Sequence, residues 1–496
     1  MRCICLLGLA AALAVPAVLA DTHLILPDGS GDFPTIQGGI SNSDWGDSVV
    51  LADGVYTGPG NRDITYQGKP ITVCSLSGDP ESCIIDCEGT EQENHRGFIF
   101  NWGESSSSVL CGVTVCNAYN STDPDHVEDY GGGFLILMGS SPTIQDVIVR
   151  DCYAPRGAAV FIYEGSPAFT GCKFIDNTAW RTWVGGIDGS RASSTEIVDC
   201  IFEGNSGNNL PDAVGFLESD EITISGCCFK NHSGDVALLI GWLCTAEISQ
   251  CTFAGNRAAF ICYGDGSMTT MRNCTFYGQT SGYDPACIYV FGGAHVQVEN
   301  SILSGSVATP VGCGDATINL QCCNVYGNGG GDYVGCIAEF EGIAGNISLD
   351  PRFCNPAADD YAILPESPCA PFSEPNPECD LIGAWPVGCT IALDVPQEPE
   401  PSLAGLLAAP RPNPFRDRTH LRLHVPAGGE RPAALAIYDV AGRLVRQLPV
   451  RNAYSQMGTI TWEGMDGAGR PAPAGLYFVR CVWNGRVEQQ PVLLVR

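Results

Sequence analysis

The chain has 496 residues, 45 % of them hydrophobic, with 60 Gly, 33 Pro, 26 Cys and a net charge of −30. That length exceeds one ordinary compact core, and the Gly and Pro content suits many short strands and turns, which excludes a coiled coil or a long-helix bundle. The charge is uneven: residues 411–496 hold 12 Arg, no Lys and 6 acids, net +6, whereas 21–410 hold 12 basic and 49 acidic residues, net −37. Such a body repels nucleic acid and anionic membranes, and it repels acidic polysaccharides unless divalent cations bridge them. At the start, Arg2, the apolar run Leu6 to Leu19 and the small-residue stretch Val18-Leu19-Ala20 predict a signal peptide over 1–20, hence a secreted chain. No later run is long enough to predict a transmembrane segment.

Next comes Asp28-Gly29-Ser30-Gly31-Asp32-Phe33-Pro34-Thr35-Ile36-Gln37. Ile36 and the following Ile40 stand four residues apart, a spacing that would turn both to one core-facing side. Gly46-Asp47-Ser48-Val49-Val50-Leu51 and Gly54-Val55-Tyr56 read as the first strands. An insert, Asn117 to Gly131, then carries Asp123, Asp125, His126, Glu128 and Asp129 within seven residues. Oxygen ligands at that density make Asp123, Asp125, Glu128 and Asp129 a candidate Ca²⁺ site. The spacing lacks the central Gly of a known Ca²⁺ loop, so a solvated acidic loop is the competing reading.

The middle of the chain repeats. Cys172-Lys173-Phe174, Cys200-Ile201-Phe202, Cys227-Cys228-Phe229, Cys251-Thr252-Phe253 and Cys274-Thr275-Phe276 start at intervals of 28, 27, 24 and 23. Asn300-Ser301-Ile302 and Cys322-Cys323-Asn324 continue the series; Val147-Ile148-Val149 and Val113-Thr114-Val115 precede it. Before the Cys stands a Thr/Glu-Ile pair, as in Thr223-Ile224; after the Phe stands Asp-Asn or Gly-Asn, as in Asp176-Asn177 and Gly204-Asn205. A fixed period of this size signals stacked repeats. In each Cys-x-Phe the first and third side chains share one face, which must be the interior. Asn and Asp suit the left-handed backbone of tight turns. About a dozen coils would form a rod on the order of 60 Å long.

This pattern resembles the right-handed parallel β-helix proteins of the pectate-lyase-like superfamily, over most of residues 22–389. The 28–37 segment resembles the opening of pectinesterases, where a helix caps the first coil. Asp350-Pro351-Arg352-Phe353, Ser367-Pro368-Cys369 and Ile382-Gly383-Ala384 resemble the closing coils of bacterial β-helices. Cys172, Cys200, Cys227, Cys251 and Cys274 recur at equivalent sites and are expected as an internal stack of free thiols rather than bridges. Cys83/Cys87, Cys313/Cys336 and Cys369/Cys379/Cys389 are the expected bridge formers.

Residues 390–410 read as a Pro-, Ala- and Glu-rich linker. Residues 411–496 carry Pro412-Asn413-Pro414-Phe415, the run Leu435 to Arg446, Thr461-Trp462-Glu463-Gly464 and Gly475-Leu476-Tyr477-Phe478-Val479-Arg480. These alternating strands predict a small β-sandwich. The series resembles the C-terminal sorting domain of type IX secretion cargo and the immunoglobulin-like domain of the flagellar hook-capping protein. The resemblance implies the outer-membrane secretion machinery as a partner of 411–496, and a secreted or cell-surface location.

The catalytic sets of such proteins are not recognisable here. The clustered Asp, Gly-His-Gly and Arg-x-Lys of polygalacturonase-like hydrolases are missing, and Gly97-Phe98-Ile99-Phe100 echoes a pectinesterase motif without its Asp. Trp180 and Trp183 sit in one turn after Cys172, and Tyr163, Trp242, Tyr263 and Tyr289 fall in neighbouring coils. Trp180, Trp183, Trp242 and Tyr263 are candidates for stacking on sugar rings, with a purely structural role as the competing reading. The expected function is therefore a non-enzymatic carbohydrate-binding, adhesion or matrix protein. The alternative is a polysaccharide lyase or glycoside hydrolase, with Ca²⁺ as the cofactor of a lyase.

Overall fold

A computed structural model describes residues 20–122, 126–181, 184–208, 211–280 and 285–389, and in the C-terminal part 407, 410, 415, 418–424, 434–440, 442–448, 457–483 and 486–494. Nearly all of the body is a parallel solenoid of about eleven coils, with sheets of 12, 11 and 10 strands. One coil shows the plan. Thr143–Gln145 lies in the first sheet, Ile148–Arg150 in the second and Val160–Tyr163 in the third. The chain then re-enters the first sheet at Ala168–Thr170, where Ile144 pairs with Phe169.

The Cys-x-Phe repeat forms the second sheet. Phe174, Phe202, Phe229, Phe253 and Phe276 are in register, fully buried, with ring centroids 4.9, 4.9, 4.8 and 4.7 Å apart and planes within 14° of parallel. The strand spacing of a sheet is already the contact distance of stacked rings, so each coil gains ring contact without distortion. Cys172, Cys200, Cys227, Cys251 and Cys274 stand just before these strands, buried and unbridged. Their thiols donate to backbone carbonyls, as Cys172 does to Ile144 at 3.5 Å and Cys251 to Ser249 at 3.2 Å.

In the last two coils the sequence reading is off by one residue. Phe276 pairs with Leu303 and Leu303 with Val325, so Ser301 and Cys323, not Asn300 and Cys322, continue the cysteine file. Asn300 and Cys322 are instead the left-handed corner residues, at φ 49° and 51°. A one-residue slip moves a side chain to the other face, so the hydrophobic pattern fixes the register.

The Asp-Asn and Gly-Asn words divide their labour. Their first residue takes the left-handed turn (Asp176 φ 53°, Gly204 φ 63°), and the Asn points inward, fully buried. Asn205 donates Nδ2 to the Phe174 carbonyl at 2.8 Å. Its Oδ1 accepts from Asn177 N at 3.1 Å and Asn177 Nδ2 at 2.9 Å. His232, Asn256, Gln279, Ser306 and Asn328 extend this ladder through later coils. The corner backbone is thereby satisfied inside the rod.

Both ends are closed. The helix Ile36–Asn42, capped by Thr35, buries Ile36 and Ile40 against the first coil. The far end is stapled by Cys313–Cys336, Cys322–Cys379 and Cys354–Cys389. Cys83, Cys87 and Cys369, expected in bridges, are free and buried. They sit on packed strands and turns, where burial serves a thiol as well as a methyl group. Beyond the body, two antiparallel sheets share a core around Trp462, Leu421, Ile437 and Val479. Leu476 and Leu493 of this unit pack on Val50 and Cys74, outward residues of the first sheet.

Candidate functional site

The outward side of the third sheet differs from those of the other two. It alternates with the buried strand positions and is largely apolar: Leu135, Phe161, Leu239, Ile261 and Tyr289 lie in one file, Leu217, Tyr263 and Phe291 in a second. Apolar residues on the outer face of a solenoid need either a cover or a partner.

The first coils have a cover. The insert folds back so that Val127 and Tyr130 pack on Leu135, Leu137 and Phe161. Its backbone is held by Arg96, which donates to the carbonyls of Glu128 at 2.8 Å and Gly131 at 3.0 Å, and by Asn120, which donates to that of Asp129 at 2.6 Å. The Arg156 guanidinium lies 5.1 Å from both the Tyr130 and Phe161 ring centres. It forks onto Asp188, Nε to Oδ2 at 2.9 Å and Nη2 to Oδ1 at 2.6 Å. Burial opposes the charge on Arg156, but Asp188 outweighs it and holds the group protonated above its ordinary range. An arginine locked in this state is a structural cation, not a base.

Further along, the same face is open. Leu217, Ile261, Tyr263, Tyr289 and Phe291 are half-buried, and Trp242 and Leu243 are 55 % and 63 % exposed. Trp242 and Leu243 end their strand in the left-handed region, at φ 35° and 58°. Bulky residues seldom hold that conformation, and such strain gathers at working surfaces. The next coil carries Gly264, where a Cβ would collide with the Trp242 indole. Trp242 tilts against Tyr263 at 5.7 Å, Tyr263 stacks on Phe291 at 5.3 Å, and Phe291 meets Tyr289 at 4.8 Å. Tyr263 and Phe291 hide their faces in one another, leaving the indole of Trp242 as the presented surface. With Glu218, Asp265 and Gly292 these residues line an open cleft of about 620 Å³.

Carboxylates border the cleft. Glu218 pairs with Arg191 at 3.0 Å, and Arg191 also reaches Glu164 at 3.7 Å and the Tyr163 hydroxyl at 2.7 Å. Asp265 is exposed, and Asp315 accepts from Gly292 N at 2.9 Å. Asp212 is different: it is fully buried in the turn entering the sheet and accepts from Gly207 N at 2.8 Å. Burial pushes its carboxyl up to about 7.

The residues singled out by sequence are distributed unevenly. Trp242 and Tyr263 meet in the cleft. Trp180 lies on the opposite border of the sheet, its Nε1 donating to Asn120 O at 3.4 Å under the ring's neighbour Arg181, so it belongs to the insert's anchorage. Trp183, Asp123 and Asp125 lie outside the described residues. Glu128 is exposed, and Asp129 turns its Oδ2 to the His126 N–H at 3.0 Å. Among the described residues no three His, Cys, Asp or Glu are grouped to hold a metal. Tyr289, expected among the aromatics, lies beside Phe291, whereas Phe291, Glu218 and Asp265 were not anticipated as site residues. One signal existed: Phe291 follows Tyr263 by 28 residues, one coil of the repeat, and pairs with it.

Residues 103–242 and 185–342 match the family described as right handed beta helix region. No curated protein matches the chain. No helix among the described residues is long and apolar enough to cross a membrane. Strand pairing throughout the body and the family match agree, and the chain is a right-handed parallel β-helix protein.

Proposed function

We propose that this is a secreted or cell-surface carbohydrate-binding protein whose binding face is the open half of the third sheet, centred on Trp242. The observation that carries it is the exposed indole, backed by Tyr263 and Phe291, on the half of the solenoid face that the insert leaves open. Aromatic faces pack on the C–H faces of sugar rings, and the rod offers a long, regular bed for a polymer. Export through the outer-membrane secretion machinery is the role assigned to 411–496. Its support is the sequence resemblance together with the two antiparallel sheets found there. Adhesion or matrix assembly follows if the tail holds the rod at the surface.

The test is retention of the full chain on a panel of soluble and insoluble polysaccharides, with Trp242→Ala beside it. The variant should lose about tenfold or more in affinity, the equivalent of roughly 1.4 kcal/mol of ring contact. Equal binding by both proteins, or binding to none of the panel, refutes the reading. A polysaccharide lyase or hydrolase is the second reading. The exposed carboxylates of Glu218 and Asp265 in the cleft, with Arg191 on Glu218, favour it, since glycan cleavage uses paired carboxyl groups within reach of the substrate. Chain shortening of any panel member, with or without Ca²⁺, and its loss in Glu218→Gln would establish that reading instead.

A further inference from the structure

We infer that the glycan held at Trp242 is an amino-sugar polymer carrying protonated amines, not a uronate. The inference rests on the carbohydrate-binding reading and adds the ligand's charge. Three observations lead to it.

The cleft presents an indole and a carboxylate together. Trp242 is more than half exposed, and Asp265 lines the same cleft, exposed, with no hydrogen bond or ion pair to any of the described residues. A cation with an apolar flank satisfies both at once: the ring quadrupole attracts the charge and the carboxylate pairs with it. An ammonium on a sugar ring has that form.

The border is acidic beyond what its own cation balances. Glu164 and Glu218 share Arg191, and Asp265 and Asp315 add two more negative charges within the neighbouring coils. Arg156, on the covered part of the same face, is spent on Asp188 beneath the insert. A uronate polymer would bring one carboxylate per residue against this border. At the separations of neighbouring coils such repulsion is only partly screened at physiological salt.

The acid is also placed by the fold. Gly293, one coil on, has no room for a Cβ because Asp265 Oδ1 occupies that space, so the carboxylate lies along the cleft wall instead of trailing into solvent. The repeat period sets this position, since Asp265 and Gly293 follow the paired residues Tyr263 and Phe291 by two.

The experiment is calorimetry on the full chain at about pH 5.5, where the amines are charged, with four hexasaccharides: glucosamine, N-acetylglucosamine, cellohexaose and galacturonate. The glucosamine hexamer should bind at least tenfold tighter than either neutral hexamer, and the galacturonate hexamer should not bind. Asp265→Asn, a change at an exposed side chain, should bring glucosamine affinity down to that of cellohexaose. Trp242→Ala should weaken both. Galacturonate binding as tight as glucosamine, or a glucosamine preference untouched by Asp265→Asn, overturns the inference. If Trp242 still governs the binding of a neutral or anionic hexamer, the carbohydrate-binding reading survives that failure. If no hexamer binds, both fall.

Discussion

Replacing Asn205 by Ala tests what holds the coils in register. Its side chain makes three buried hydrogen bonds: one to the Phe174 carbonyl and two from Asn177. The substitution leaves a carbonyl, a backbone N–H and an amide N–H without partners, in a place fully shielded from water. Each such group costs about 1–3 kcal/mol, and partial rearrangement or an entering water reduces the sum. A loss of about 3–5 kcal/mol is expected. A solenoid need not unfold in one step, so a single unfolding free energy is a poor gauge here. Hydrogen exchange is the better assay: the amides of Asn177 and Cys152, adjacent on the ladder, should exchange at least a hundredfold faster. Distant coils such as that of Val50 should not change. Asn231→Gly is the control. Asn231 is exposed and left-handed at φ 59°, so Gly takes its place at little cost. If Asn205→Ala behaves like the control, the inward Asn contribute nothing and the register rests on the phenylalanines alone.

Two further expectations follow from buried titratable groups. The denatured, unreduced protein should titrate 18 free thiols among the described cysteines, leaving Cys313, Cys336, Cys322, Cys379, Cys354 and Cys389 unreactive. The folded protein should react slowly, since burial drives groups such as Cys152 and Cys323 up to about 12 and suppresses the thiolate; a denatured count near zero would contradict the unbridged stack. Asp212 holds its proton in the folded chain up to about pH 7 but releases it near pH 4 when unfolded. The folded state thus binds the extra proton between those values, and the melting temperature should fall as pH rises from about 4 to 7. Asp212→Asn should flatten that slope, and an unchanged slope would place the linkage elsewhere.

The fold was legible because each coil had to solve the same burial problem. Phe202, Phe229 and Phe253 recur because their rings stack at the strand spacing, and the interval between them varies only with turn length. Legibility weakened where the repeat changed residue type. At Asn300-Ser301-Ile302 the inward thiol is replaced by the Ser301 hydroxyl, and the neighbouring Ile302 was aligned in place of Leu303. The Asn after each turn was visible, but its purpose was not: a left-handed Asn and an inward Asn look alike in sequence, and only Asn205 and Asn231 side by side separate them.

The binding face was harder to read for a reason that lies in the geometry. Inward files are constrained coil after coil, so they repeat. The outward file Phe161, Asp188, Gly215, Leu239, Ile261, Tyr289 does not, because its residues answer to whatever covers each coil. Asp188 makes sense only with Arg156 above it, and Leu135 only with Tyr130 of the insert. The insert's conspicuous acids suggested a metal site. Asp123 and Asp125 lie outside the described residues, and the described part works through backbone carbonyls and two apolar side chains, closing one half of the face and leaving Trp242 at the uncovered other half. An aromatic held in strained backbone over a glycine, where the cover stops, is therefore the feature of this rod that packing alone does not account for.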